Sequence, residues 1–411
     1  MKGRKKSRLP TTPTVITTTE ALRSFVEDAR TAPYITIDTE FMRENTYWPI
    51  LCLIQVAIGG REMDDPKTSA VIDPLGDTID LAPLFELLAD ENVLKVFHAA
   101  RQDLEIFFRL QGRLPAPVFD TQVAAMVLGF GDSIGFENLI AKTTGASVDK
   151  GARFTDWSLR PLAQRQIEYA LADVVLLAPA YDKLAEQLET SGRAAWIAEE
   201  MKVLLAEETY APNPNEAWRR IKSKGGKPRS LAVLRELAAW RELEAQRRDV
   251  PKNRVLRDES LVEISHHRPK NVKDLARTRG LGQKAAEGRM GESILAAVRR
   301  GEDVPDADTP NLPDRADLPR GIGPTTDLLK LLLKMRCSEV DVAQKLVASS
   351  DDVERIAAFG EDADVPALKS WRREIFGEDA LRVRNGEIGI GVKNRKLKLF
   401  DARTGEESAG S

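Results

Sequence analysis

An α/β layer domain followed by an all-helical remainder is the fold class this sequence predicts, and three observations predict it. From Val15 to about Glu207, short β-branched runs alternate with helical stretches, the pattern of a largely buried sheet covered by helices. After Tyr210 the strand signals stop, and the chain to about Phe376 reads as helices with polar breaks. At 411 residues, with 42% hydrophobic and 30% charged residues, the chain falls in the ordinary globular range. That length suggests roughly two to four domains.

Each element has its own signal. MKGRKKSR carries five basic side chains with no apolar stretch after it, so it is not a secretory signal. Pro10 and Pro13 break any amphipathic helix there, and residues 1–13 are expected to form a basic flexible tail. YITIDTE, LCLIQVAI, SAVIDP and LKVFHA read as strands; EALRSFVEDA, APLFELLAD, DLEIFFRL and a long run from Pro161 to about Leu188 read as helices. Together they make an α/β domain over 14–207. PNPNEAW opens a loop and helix leading into a helical domain over 208–300. GEDVPDADTPNLPDRADLP, rich in Pro and Asp, marks a linker at 301–319. A second helical domain follows over 320–403 and closes with LRVRNGEIGIGVKNRKLKLF, a hairpin in which Asn385-Gly386 is the turn signal. Residues 404–411 are expected to be a disordered tail.

Composition excludes several function classes. No apolar run approaches the roughly 18–20 residues needed to span a membrane. Only Cys52 and Cys337 occur, so neither a disulfide framework nor a zinc site is implied, and a reducing cytoplasm is expected. The net charge of −3 argues against a basic coat but leaves nucleic acid open, because a site built of acids subtracts charge that metals restore.

Five residues carry the chemistry. Asp38 and Glu40 in YITIDTEF are two apart, so on a strand both carboxylates share one face. Tyr169 and Asp173 in QIEYALADVVLL are four apart, one helical turn on one face. Asp103 in KVFHAARQDLEIF stands in the first turn of a helix. Four acids converging from a strand end and two helices would repel one another without cations. Hard oxygen ligands suit Mg²⁺ or Mn²⁺, and a pair of such ions drives in-line phosphodiester cleavage. Alone, each residue also fits a plain role: strand-end surface charge for Asp38 and Glu40, a dipole partner for Asp103, a half-buried aromatic for Tyr169. Asp120 in VFDTQVAAM reads as an N-cap, and Asp156 as structural with Arg160 its partner.

The order Asp-x-Glu, Asp, Tyr-x-x-x-Asp resembles the DEDDy branch of 3′→5′ exonucleases. The surrounding segments IDTEFMRENTYWPILCLIQVA, FHAARQDLEIF, FDTQVAAMVLG, DWSLRPL and YALADV are similar to the ribonuclease D family over about residues 14–190. LAVLRELAAWRELEAQRRDV and the text after it resemble an HRDC domain, and the second helical domain resembles the more divergent HRDC-like domain of the same family. The resemblance implies a ribonuclease H-like domain with a mixed five-stranded sheet flanked by helices, then two small all-α HRDC-type domains. It implies a hydrolytic 3′→5′ exoribonuclease that releases 5′-mononucleotides from transfer RNA precursors and other small structured RNAs. By the same resemblance, Asp38 bridges two divalent ions, Glu40 and Asp173 complete the first site, and Asp103 holds the second largely through water. A free phenol has a pKa near ~10, which casts Tyr169 as orienting the attacking water.

Substrate contacts are expected from Phe41, stacked near the terminal bases, and from His98 at a strand end beside the acids. They are also expected from the basic run RRIKSKGGKPR, whose Arg219, Arg220, Lys222, Lys224, Lys227 and Arg229 offer phosphate contacts. The partner is therefore RNA with single-stranded 3′ ends, with no membrane and no obligate protein partner evident. A fragment ending near Glu207 is expected to keep metal-dependent chemistry on short RNA. The competing readings are a DNA-directed 3′→5′ exonuclease and a catalytically idle RNA-binding protein.

Overall fold

Six strands form the first sheet, one more than the family resemblance implies. The computed structural model describes residues 13–62, 65–76, 78–148, 151–152, 155–222, 227–310 and 318–406. The strands are β1 (Thr14–Ile16), β2 (Tyr34–Met42), β3 (Ile50–Ile58), β4 (Ser69–Ile72), β5 (Leu94–Phe97) and β6 (Val118–Asp120), in the order β1-β4-β3-β2-β5-β6. β1 runs parallel to β4, β4 antiparallel to β3, and β2, β5 and β6 are parallel neighbours, so the sheet is mixed. β1 is three residues long, too short to show an alternation, which is why sequence reading passed over it; the equally short β6 is the strand expected before the Asp120 N-cap. β2 and β3 lie inside the sheet, and Ile35, Thr36, Ile37, Leu53, Ile54 and Gln55 are fully buried. Such strands read as continuous apolar runs because both faces are covered.

Among the described residues, eight helices belong to this part of the chain: α1 (Thr19–Ala29), α2 (Ala82–Leu88), α3 (Arg101–Gln111), α4 (Thr121–Val127), α5 (Phe136–Thr143), α6 (Gln164–Val175), α7 (Leu177–Thr190) and α8 (Ala194–Leu204). The expected single run from Pro161 to Leu188 is two helices, broken at Leu176. Pro179 is the cause: it has no N–H to donate to the Val175 carbonyl, and its ring would clash there, so α6 stops and Pro179 falls in the first turn of α7.

The described residues fall into two compact units. One comprises the described residues of 13–40, 53–206 and 318–406; the other comprises those of 41–52 and 207–310. The fragment ending near Glu207 would therefore be cut out of a unit that also includes 318–406. In that first unit Trp196 of α8 stacks on Trp371, centroids 4.5 Å apart and planes 10° from parallel. Arg193 donates to the Val127 and Asp341 carbonyls at 2.8 and 3.0 Å, and the Ala343 N–H donates to the Met126 carbonyl at 2.9 Å. Its helical core includes Leu329, Leu332, Val353, Ile356, Trp371 and Phe376.

The hairpin that ends the unit pairs β7 (Ile388–Lys393) with β8 (Lys396–Asp401). Its turn is Asn394-Arg395, at φ 51° and 61°, not Asn385-Gly386. Asn385 caps the preceding helix Glu378–Arg384 and Gly386 takes φ 74°, so the pair ends a helix, another position that favours a left-handed glycine.

The second unit is helical. The helices α9 (Pro228–Arg248), α10 (Lys252–Val255) and α11 (Asp258–His267) lead, and a helix over Arg289–Asp303 closes it, reaching into the expected 301–319 linker. Residues 311–317 of that linker, residues 1–12 and residues 407–411 lie outside the described residues. The segment 41–52 packs within this unit. The Tyr47 and Trp48 N–H groups donate to Asp249 Oδ1 at 3.1 and 3.0 Å, and the Tyr47 hydroxyl donates to Glu242.

Candidate active site

The sheet brings the strand-borne pair to the end of buried β2, and α6 delivers its residues to the same place. The Thr36 hydroxyl donates to the Val174 carbonyl at 2.8 Å, tying α6 to β2 one residue after Asp173. As a result Asp38, Glu40 and Asp173 each offer a carboxylate oxygen within 4.8 Å of the other two. Asp103, in the first turn of α3, is not one of this three-acid group. Its Oδ1 accepts from the Thr39 hydroxyl, on the side chain that lies between Asp38 and Glu40 in sequence and points from the opposite face.

Burial dominates the electrostatics. It pushes the Asp38 carboxyl up to about 6, against a smaller lowering by the Thr39 backbone. Burial and then the charge of Asp38 raise Asp103 well above the usual carboxylate range, against the Thr39 hydrogen bond. These shifts show that the charged forms are held at a cost that a dication would remove. The donor set is all oxygen and anionic, which fits a hard divalent ion.

Tyr169 is half-buried, with its ring 6.1 Å from that of buried Trp157 and tilted 40°. The loop carrying Trp157 is anchored by Arg160, which pairs with Asp73 at the end of β4: Nε to Oδ2 at 2.5 Å and Nη2 to Oδ1 at 2.7 Å. This corrects the expected Arg160–Asp156 pair. Asp156 instead accepts the Ser158 N–H at 2.9 Å, a local turn that a carboxylate two residues away closes more readily than a long ion pair. Asp73, 87 residues from Arg160, left no sequence signal.

Asp120 N-caps α4 through the Gln122 N–H at 2.8 Å, and it does more. It also accepts from the Ala99 and Ala100 N–H groups at 3.0 and 2.9 Å. Ala99 sits at φ 60°, a left-handed setting that a non-glycine residue holds only with support. Asp120 thus fixes the turn from β5 into α3 and through it the start of the helix that bears Asp103. Its own N–H meets Met201 Sδ of α8 at 3.3 Å.

His98 has a structural setting. The Thr121 hydroxyl donates to the Phe97 carbonyl at 2.9 Å, so it accepts from His98 Nδ1–H at 3.0 Å, which fixes the tautomer. The ring meets Phe136 edge-on at 5.7 Å, and burial lowers its pKa against the raising charge of Asp120. Phe41 continues β2 one residue past Glu40 and is half-buried.

The basic run divides. Arg229 is committed to the fold, donating to the Gly301, Glu302 and Val304 carbonyls and pairing with Asp306, so it is not a free phosphate ligand. Arg219 lies over the Trp218 ring at 5.0 Å and pairs with Glu216. Arg220, Lys222 and Lys227 are exposed, and Lys224 lies outside the described residues.

Comparison with known proteins agrees with this geometry. A family model described as 3'-5' exonuclease matches residues 13–189, and an HRDC domain model matches residues 230–298. A ribonuclease D of Granulibacter bethesdensis is 48% identical over 401 residues, covering 97% of this chain and 99% of its own length. One from Gluconacetobacter diazotrophicus is 49% identical over 390 residues, covering 95% and 97%. The crystal structure of Escherichia coli RNase D, described as an exoribonuclease involved in structured RNA processing, superposes with a TM-score of 0.77 at 31% identity. It covers 91% of this chain and 99% of that one.

Proposed function

The chain belongs to the ribonuclease D family of 3′→5′ exoribonucleases, and we propose that it trims the 3′ ends of transfer RNA precursors and other small structured RNAs, releasing 5′-mononucleotides. The observation that carries the reading is the convergence of Asp38, Glu40 and Asp173 from β2 and α6 within 4.8 Å. The activity is divalent-metal dependent, and we assign two ions, Mg²⁺ or Mn²⁺. Asp38, Glu40 and Asp173 would hold one, and Asp38 with Asp103 the other, Asp103 largely through water. When bound, the ions lower the pKa of the attacking water and stabilise the leaving 3′-oxygen.

The rest of the work is done by side chains. Tyr169 orients the attacking water through its hydroxyl, and Trp157 packed beside it limits where the phenol can point. Asp120 and Thr39 hold Asp103 where it can serve. Arg220, Lys222 and Lys227 supply phosphate contacts to the folded RNA body. Phe41, one residue past Glu40, is assigned to stacking near the terminal bases. His98 is assigned to holding the β5–α3 turn through Thr121.

No described helix is long and apolar enough to cross a membrane. A reducing cytoplasm is the compartment we assign. Cys52 and Cys337 are both buried thiols, and burial pushes the Cys337 thiol up to about 12, which leaves it unreactive.

The test is digestion of a transfer RNA precursor labelled at the 3′ or the 5′ end. With Mg²⁺, the 3′ label should leave as a mononucleotide at once while the 5′ label shortens stepwise, and chelator should stop both. Internal cuts, or the opposite polarity, would overturn the reading. Tyr169→Phe should lower the catalytic rate by about 10²–10⁴-fold, the range for a positioning or acid–base group. The metal concentration for half activity should stay unchanged; a large shift would place Tyr169 among the metal ligands.

A further inference from the structure

β3 reads ILCLIQVAI, and Gln55 is the one polar side chain in an otherwise apolar strand. It is fully buried, and neither atom of its amide has a hydrogen-bond partner among the described residues. A primary amide carries two N–H donors and a carbonyl acceptor, and holding them away from water without partners is costly. Valine or leucine would fill the same place in a strand covered on both faces without that cost.

The sheet shows what lies beside the amide. β2 and β3 are neighbours joined by the short connection 43–49, so they run antiparallel. The Gly59 N–H donates to the Tyr34 carbonyl at 2.9 Å, which pairs those two residues. The Tyr34 ring lies over Gly59 and leaves no room there for a Cβ, so the pair shares a face. Counting inward two residues at a time puts Thr36 opposite Ala57 and Asp38 opposite Gln55. The Thr36 hydroxyl reaches the Ala57 carbonyl at 3.5 Å, as that register requires. α6 covers the same face: Thr36 donates to the Val174 carbonyl, Ala57 packs on Val174 and Val175, and Asp173 joins Asp38. Gln55 therefore faces the side of the sheet that bears the acids, directly across from Asp38.

Ser69 offers the competing explanation. In the β3–β4 register Ala57 faces Ser69 and Gln55 faces Val71. The Ser69 hydroxyl is thus a diagonal neighbour of Gln55 on one face, buried and also without a partner among the described residues. A bond between the two needs no ion, yet the structure does not make it. A hydroxyl donating to the Gln55 carbonyl would also leave both amide N–H donors unmatched.

We propose that Gln55 is a positioning residue for the metal site, its amide N–H donating to the Asp38 carboxylate when that group is charged and holds a divalent ion. The proposal rests on the metal-dependent reading of the acids. A ligating carboxylate is itself held in orientation by hydrogen bonds, and loss of such a partner typically weakens metal binding about 10–100-fold. Gln55 acts through Asp38 and touches neither substrate nor reacting atoms.

The experiment uses the full chain. Gln55→Met keeps the length of the side chain and removes the amide. Mn²⁺ binding, measured by calorimetry, should weaken by about 10–100-fold, and the Mg²⁺ concentration for half activity should rise by a similar factor. Raising Mg²⁺ should restore most of the catalytic rate, with KM for a pentanucleotide unchanged. Without metal the variant should melt at or above the unaltered protein, because an unmatched buried amide is gone. Mg²⁺ should then raise its melting temperature less. Gln55→Leu should behave in the same way, and Ser69→Ala should leave Mn²⁺ affinity unchanged. Unchanged Mn²⁺ affinity in both Gln55 variants would overturn the proposal. An equal loss in Ser69→Ala would also overturn it, by tracing the effect to packing under α6. So would failure of both Gln55 variants to fold without metal, since the amide would then support the fold. If the unaltered protein neither binds Mn²⁺ nor hydrolyses the pentanucleotide, the metal-dependent reading fails instead.

Discussion

Asp38→Asn is expected to abolish hydrolysis at saturating Mg²⁺ while the protein stays folded and still binds RNA, and Asp173→Asn to do the same. Asp38 is one of three acids whose oxygens converge within 4.8 Å, and burial holds its carboxyl at about 6. Asparagine keeps the shape and removes the charge that a divalent ion needs. A group whose folded pKa is raised contributes stability below its ordinary pKa and loses it as pH rises through the folded value. The metal-free protein should therefore weaken between about 3.8 and 6 and stay weakened at neutral pH, relative to Asp38→Asn. The variant should melt at or above the unaltered metal-free protein at pH 7, and Mg²⁺ should raise its melting temperature less. Turnover and melting with and without Mg²⁺ check both halves. Near-normal turnover would remove Asp38 from the metal site.

The placement of these acids was legible because it rests on local periodicity. Asp-x-Glu on a strand and Tyr-x-x-x-Asp on a helix fix which side chains share a face before any tertiary contact is known. The N-cap role of Asp120 was legible for the same reason, since Gln122 is two residues away. Its grip on Ala99 and Ala100 was not, because nothing local links residues 20 apart. Thr39 read as an ordinary strand residue, yet its hydroxyl holds Asp103. The break at Leu176 was written in Pro179 and overlooked beneath a strong helical period. The membership of 318–406 in the catalytic unit rests on pairs such as Trp196 with Trp371, and periodicity carries no information about such pairs.

That membership yields a second large effect, at a site remote in sequence from the chemistry. Arg372 is buried and donates to Glu199 Oε1 at 3.0 Å, to Glu200 and to the Leu346 carbonyl at 2.9 Å, with its guanidinium over the Trp371 ring. The Glu200 side chain is only 10% exposed, and burial already raises its pKa against the pull of Arg372. Arg372→Met should leave that carboxylate buried and uncompensated, a loss of about 3–5 kcal/mol. With the opposing cation gone the Glu200 pKa rises further, so the loss should be greatest above neutral pH and shrink on acidification as Glu200 takes up its proton. Adding Glu200→Gln should recover much of the stability by removing the stranded charge. The consequence reaches the acids because α8, which carries Glu199 and Glu200, also carries Met201, which receives the Asp120 N–H. Asp120 in turn fixes the turn before Asp103, so the single variant should need more Mg²⁺ for half activity. A fragment ending near Glu207 lacks Arg372 and Trp371 altogether and should be weaker still. Denaturant unfolding at pH 6 and pH 8, with Mg²⁺ titration of activity, decides the matter: a loss below about 1 kcal/mol, or the same loss at both pH values, would show that Glu200 does not depend on Arg372.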